Sequence, residues 1–351
     1  MNKKLFALVI LAFLNQLVFA STRPDSHAPI SIMGDHTHTK GELMFSYRYM
    51  RMNMKENRLG STDISPQDIV TTEANPFSNP NEMMSPMNLR VVPTRMSMDM
   101  HMLGAMYAPS DRITLMGMIN ILSKEMDHIT FSGMSGDTEL GSFRTTTKGF
   151  GDANVTALIK VVNAHNQNAH FTLGLSLPTG SINKTDSILT PMGMRPEKRL
   201  PYPMQLGSGT YDLIIGGTYA YTSERIGIGT QLRSIIRLGD NDRNYTLGDE
   251  HTAQAWLSYL ATQRISVSTR ISYFKRGNIN GQDQDVMLPV QSADPNRQRV
   301  KSIGIGFGVN FILPGDRHRL AIEYSLPLTQ RMSGPQLKTE SNITLGWQFS
   351  L

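Results

Sequence analysis

Apolar and polar residues alternate with a period of two along much of the chain, most plainly at its end. There Ile343, Leu345, Trp347, Phe349 and Leu351 share one face of an extended strand, opposite Thr344, Gly346, Gln348 and Ser350. One lipid-compatible face and one water-compatible face describe the closing strand of an outer-membrane barrel, whereas a soluble terminus usually trails off in polar residues. The same alternation predicts twelve strands, near 41–54, 94–108, 112–126, 151–163, 168–178, 211–222, 225–238, 251–261, 264–276, 300–312, 317–328 and 340–351. In the tenth, Ile303, Ile305, Phe307, Val309 and Phe311 lie opposite Ser302, Gly304, Gly306, Gly308 and Asn310.

The connections strengthen this reading. Pro109-Ser110-Asp111, 164–167, Ser223-Glu224, Thr262-Gln263 and Pro314-Gly315-Asp316 are tight turns, and they alternate with the long polar segments 55–93, 127–150, 179–210, 239–250, 277–299 and 329–339. Bacterial barrels join their strands by short periplasmic turns and long extracellular loops, so the pattern puts the first connection outside and makes the strand number even. A soluble β-sandwich has no reason to alternate so strictly. The third loop, 179–210, crowded with Pro191, Pro196, Pro201 and Pro203, is the candidate to fold inward and narrow the lumen, the alternative being a flexible surface cover.

Composition agrees. A basic head, Met1-Asn2-Lys3-Lys4, precedes an apolar stretch from Leu5 to Leu14 and then Val18-Phe19-Ala20, a pattern that predicts a cleaved signal peptide over 1–20. Residues 21–40 are then expected as a periplasmic N-terminal segment and 41–351 as the barrel. With 39% hydrophobic residues and no other apolar run of spanning length, the choice lies between a closed barrel and a soluble protein. Cysteine is absent, which removes disulfides and thiolate metal sites. The scattered net charge of +5 suits anionic outer-membrane lipids and lipopolysaccharide rather than nucleic acid.

Methionine is abundant, at 23 residues. Met44, Ser46, Arg48, Met50, Met52 and Met54 share a face of the first strand opposite Leu43, Phe45, Tyr47 and Tyr49, so these methionines are expected in the lumen. Met116 and Met118, opposite Ile113, Leu115, Ile119 and Ile121, are expected there too. For the second strand, the cost of a charge in lipid argues that Asp99 and His101 face inward and that Met96, Met98, Met100 and Met102 face lipid. Arg48, Met116, Met118, Gln231 and Arg233 are the candidate pore-lining residues. His36 and His38, with Met50, Met52 and Met54, form a candidate Cu(I) site, because thioether sulfur is a soft ligand. Methionine as adaptable apolar filler is the plainer alternative.

No Gly-x-Ser-x-Gly and no serine–histidine pair on adjoining strands points to catalysis, so no enzyme activity is expected. Leu177-Pro178-Thr179-Gly180-Ser181, Gln205-Leu206-Gly207-Ser208-Gly209-Thr210-Tyr211-Asp212-Leu213 and Gly149-Phe150-Gly151-Asp152 resemble motifs of the outer-membrane family named for meta-pathway phenol degradation. The resemblance is best over 145–351. It implies a barrel for uptake of small, often hydrophobic compounds, with no cofactor and no catalytic motif. The reading is an all-β, antiparallel up-and-down transmembrane barrel of about twelve strands for passive passage of a small, hydrophobic or aromatic solute. A copper-handling outer-membrane protein is the alternative.

Overall fold

The computed structural model describes residues 23–24, 27–81, 85–164 and 166–351; the signal peptide expected over 1–20 lies outside them. Ten strands run in sequence: β1 (Leu43–Gly60), β2 (Val91–Ser110), β3 (Ile113–Phe131), β4 (Ala153–Ala164), β5 (Gln167–Leu177), β6 (Tyr211–Thr222), β7 (Ile226–Leu238), β8 (Glu250–Thr262), β9 (Ile265–Arg276) and β10 (Val300–Ile312). The last element, His318–Ser350, is one continuous run of 33 residues. Its first arm pairs with β10 from Arg319 to Met332, and its second pairs with β1 from Met332 to Ser350. The Ser350 amide donates to the Arg317 carbonyl at 3.0 Å, so the element doubles back on itself. The arms are β11 (318–332) and β12 (336–350), and they make twelve antiparallel passes. The ring closes with β12 against β1, where Phe45 faces Phe349 and Tyr47 faces Trp347. Closure leaves no exposed sheet edge, the condition for strands to cross a membrane.

The outer face carries the apolar alternation. Leu115, Ile119, Phe171, Leu173, Ile228, Leu232, Ile271, Phe307, Leu345 and Trp347 are all exposed, while their strand neighbours Thr114, Met118, Gln231, Arg270, Thr344 and Gln348 are buried inside. The protein is an outer-membrane β-barrel, its exposed row matching the lipid belt and its buried polar row matching the lumen.

The extracellular loops hold more strand than the sequence pattern suggests. β1, β2 and β3 run 18, 20 and 19 residues, well past the 9–11 that a tilted strand needs to cross. Glu139–Phe150, expected within a loop, is a strand paired with the upper half of β3. The last connection, expected over 329–339, is mostly strand as well. One side of the barrel therefore stands above the membrane as a tall wall.

That height corrects the orientation of the second strand. Asp99 and His101 face outward: the Tyr49 hydroxyl donates to Asp99 at 2.6 Å, Arg51 Nη1 is 3.2 Å from the same carboxylate, and the Tyr47 hydroxyl is 2.8 Å from His101 Nδ1. The expectation assumed that these residues sit in hydrocarbon. They lie above it, at the aromatic and charged rim, where Arg95, Glu125, Asp127 and Arg144 continue the polar outer surface. The methionine row faces inward instead. Met96 and Met102 are buried, and cross-strand pairs Met50–Met100, Met52–Met98, Met54–Met96 and Met96–Met126 join the rows of β1, β2 and β3.

The segment expected to lie in the periplasm is folded into the periplasmic half of the barrel. Arg23 donates to the Ser223 carbonyl, and the Pro24 carbonyl accepts from Ser266 on β9. The Ala28, Met33 and Gly34 carbonyls are met by Arg319, Gln231 and His170, at 2.6, 3.0 and 2.9 Å. The His38 amide reaches Thr114 Oγ1 at 2.9 Å. A backbone without regular structure survives inside a barrel only if its polar groups are paired, and inward side chains from six strands do that here. Apolar contacts complete the seat: Ala28 and Ile32 pack on Trp256, and Ile30 covers Gly346. Any side chain at Gly346 would put its Cβ 2.3 Å from Ile30 Cγ1.

Ile30 is 1% exposed. Ile30→Ala is expected to weaken the seating of this plug by about 2–4 kcal/mol. Hydrogen exchange should show roughly thirtyfold or faster opening at residues 28–34, with barrel amides unchanged.

Candidate functional site

Above the plug lies a cavity of about 640 Å³. One wall is thioether: Met52 and Met54 of β1, Met96 and Met98 of β2, and Met126 of β3. The facing wall is polar, with Arg237 of β7, Glu250 and Thr252 of β8, and Arg270, Ser272 and Arg276 of β9. No histidine lies among the lining residues. The site is therefore two-sided, with soft apolar contact on one flank and hydrogen-bond donors on the other.

The floor joins the cavity to the plug. Arg270 Nε and Nη2 donate to Glu323 Oε1 at 2.9 and 2.6 Å, while Glu323 Oε2 accepts from the Ser31 amide at 3.1 Å and its hydroxyl at 2.5 Å. Glu323 is 2% exposed, so the plug tip is held by a carboxylate whose charge is balanced from the cavity side. Removing one partner of such a buried pair costs more than the pair itself contributes, because it strands the other charge.

The roof is made by two loops. Residues 179–210 fold inward, as the first of the two sequence readings has it: Ile188, Leu200 and Met204 bury against Met96 and Met126. Lys124 Nζ donates to the Pro203 and Gln205 carbonyls at 2.8 and 2.5 Å, and Thr147 Oγ1 to the Met204 carbonyl at 2.9 Å. Residues 277–299, not singled out from sequence, complete the roof through Gln291, Ser292 and Gln298. Arg199 lies 3.6 Å from Asp283 and 3.3 Å from Asp285, tying the two loops together. Tyr202 stacks edge-on against Tyr245 at 4.8 Å, and burial pushes its hydroxyl up to about 12, leaving it a neutral partner for the Asp283 amide at 3.2 Å.

The three motif segments quoted from the sequence meet at one residue. Asp152 Oδ1 accepts from the Gly180 amide at 2.9 Å, and Oδ2 from the Ser208 amide and hydroxyl at 2.7 and 2.9 Å. Thr179 Oγ1 donates to the Gly151 carbonyl and accepts from the Ala153 amide. Gly180 and Gly207 cross so closely that a Cβ at Gly180 would lie 2.7 Å from the Gly207 Cα. Burial raises the Asp152 carboxyl above its usual range while the Ser208 and Gly180 donors pull it down. The chain continues from Ser208 through Thr210, whose hydroxyl donates to Asp212 at 2.6 Å; Asp212 in turn accepts from Arg237 Nη1 at 2.5 Å, on the cavity wall. The motif is a latch that positions the roof.

The sequence-selected residues fall in two groups. Met52 and Met54 line the cavity, and Met50 shares their face. His36 and His38 sit in the plug near Thr114, at the periplasmic end, while Met50 to Met54 are six to ten residues up β1 from Met44, roughly 20–33 Å at strand rise. The structure does not bring the histidines and these methionines together. Arg48, Met116, Met118, Gln231 and Arg233 all face the lumen, at the level of the plug. Met116, Met118, Gln231 and Arg233 surround Met33 and Gly34, Arg48 is 6% exposed, and the space left beside the plug is about 10 Å³, room for no more than about one water. The alternation Ala28, Ile30, Ile32 in an otherwise polar stretch was the available sign of the plug.

A family model described as "Putative MetA-pathway of phenol degradation" matches residues 117–326. The chain belongs to that family. Among solved structures it is similar to an outer membrane channel from Pseudomonas putida F1, at 16% identity over 91% of this chain and 98% of that one, with a TM-score of 0.58. A looser likeness, TM-score 0.40 and 10% identity over 89% and 90% of the two chains, is to the P. putida toluene transporter TodX. No curated protein matches. The barrel architecture expected from the sequence stands on the family match, on the likeness to the outer membrane channel and on the sheet itself.

Asp152→Ala leaves two amides and a hydroxyl without an acceptor, at roughly 1–3 kcal/mol each. Limited trypsinolysis at Lys198 and Arg199 is expected to accelerate at least tenfold, with the barrel core still resistant.

Proposed function

We propose that the barrel admits a small hydrophobic or aromatic solute by passive diffusion from outside, through the roofed cavity and past a displaced plug. The observation that carries this reading is the methionine wall. Twelve of the 23 methionines, from Met44 to Met126, face the lumen from β1, β2 and β3. Thioethers adapt their shape and contact aromatic rings at about 0.3–1.5 kcal/mol each. A polar lumen of the kind that passes sugars or ions needs no such wall. The facing arginines and glutamate fit a hydroxyl or carboxylate on the ring. Family membership and a channel of the same architecture support the reading. It assigns no catalytic residue and no cofactor.

In this reading the methionines act as apolar contact, and no histidine among the described residues lines their cavity. Outside, the polar rim of Arg51, Arg95, Glu125, Asp127 and Arg144 stands above the lipid belt and suits the phosphate-rich inner core of lipopolysaccharide.

Uptake of labelled toluene and phenol into cells expressing Met52→Lys or Met98→Lys tests the solute path. A charge buried in that wall is expected to slow uptake by about fivefold or more, and Met→Leu at the same sites to stay within about twofold. Unchanged uptake by folded Lys variants would remove the methionine wall from the path.

A further inference from the structure

The plug carries three imidazoles and two carboxylates in one place, and the transport reading uses none of them. His27, Asp35 and His36 present ligand atoms that all lie within 4.8 Å of one another. The His27 and His36 ring centres are 4.9 Å apart, as are those of His36 and His38. Two imidazoles bound to one tetrahedral ion, with metal–nitrogen bonds of about 2.0–2.1 Å, have ring centres roughly 5 Å apart.

The hydrogen bonds leave lone pairs where a metal needs them. His36 Nδ1 lies 2.9 Å from Asp35 Oδ1, and His38 Nδ1 lies 3.1 Å from Glu42 Oε2. A carboxylate can only accept, so His38 Nδ1 carries the proton and its Nε2 is bare, the arrangement that orients metal-binding histidines, while His36 Nδ1 and Asp35 Oδ1 are close enough to share one ion. His38 is 3% exposed, and its Nε2 has no partner; the buried His27 Nδ1 has none either. Two orphaned buried nitrogens beside a carboxylate are costly unless something meets them. The nearby cation Arg319 is already spent on Asn310, Gln348 and the Ala28 carbonyl, and the buried Arg48 faces Asp35. His36 keeps 22% of its side-chain surface accessible, which provides an entry path.

We propose that His27, Asp35 and His36, completed by His38, bind one divalent metal ion of the Zn²⁺ class, and that the ion fastens the plug in its seat. The donor set of imidazole nitrogen with one carboxylate oxygen selects Zn²⁺ or Cu²⁺ over Ca²⁺ and Mg²⁺. It contains no thioether, and so differs from a Cu(I) site built on the methionine wall. The four residues span 27–38, most of the plug, so a metal bound there closes that stretch into a loop and resists its withdrawal. The proposal is independent of which solute crosses.

The test uses untagged full-length protein in detergent micelles, stripped with chelator and titrated calorimetrically with Zn²⁺. One ion per chain is expected, with affinity falling at least tenfold in His27→Gln and in His36→Gln and unchanged in the distant His318→Ala. Hydrogen exchange over residues 28–38 should slow at least fivefold on adding Zn²⁺. Electron paramagnetic resonance of the wild-type protein loaded with Cu²⁺ needs no variant to fold, and should show coupling to two or more imidazole nitrogens. Absence of saturable one-to-one Zn²⁺ binding overturns the proposal. So does a Cu²⁺ spectrum with oxygen ligands alone, or a Zn²⁺ affinity in both histidine variants equal to that of the wild type.

Discussion

Twelve strands enclose more space than their own inward side chains can fill, since about eight already suffice to leave room only for side chains. The rest of this structure answers that constraint. From below, residues 27–42 enter the lumen and spend their backbone carbonyls on Arg319, Gln231 and His170. From above, 179–210 and 277–299 fold in over the mouth. What remains between them is the cavity, and Glu323 is the point at which plug and cavity share one buried charge.

The lumen is asymmetric because its wall is. β1 to β3 rise above the membrane and carry methionine inward and charge outward, while β7 to β9 are short and carry arginine inward. A solute in the cavity meets polarizable sulfur on one side and guanidinium on the other. The roof is fixed by polar contacts that converge on Asp152, and the floor by those that converge on Glu323. Both are carboxylates, half-buried at Asp152 and buried at Glu323, that accept hydrogen bonds from a segment with no regular structure of its own. The path is thus closed at rest by two ordered elements.

Much of this was legible in the sequence. Period-two alternation located every barrel strand, and the alternation of short and long connections gave the closure and the even count, because lipid forces both patterns. The family motifs fall on the three segments of the latch, although the sequence assigns them no structural role. Two things were not legible. The inward turn of Met96 to Met102 depends on how far β2 rises above the membrane, and alternation alone carries no height. The plug depends on its backbone amides and carbonyls finding partners on six strands, and backbone groups leave no trace in sequence. His170 is buried against Gly34 for that reason.

The central claim is that the N-terminal segment is the barrier. The chain has no cysteine, so a single engineered pair gives one disulfide. Ile30→Cys with Gly346→Cys joins plug to wall where a Cβ at 346 lies 2.3 Å from Ile30 Cγ1, which brings the two Cβ atoms within reach of a disulfide's usual spacing of about 3.8 Å. Aromatic uptake by cells carrying this pair should fall at least tenfold when oxidised and recover on reduction. Equal uptake in the two states would show that solute passes without moving the plug, and would contradict the account.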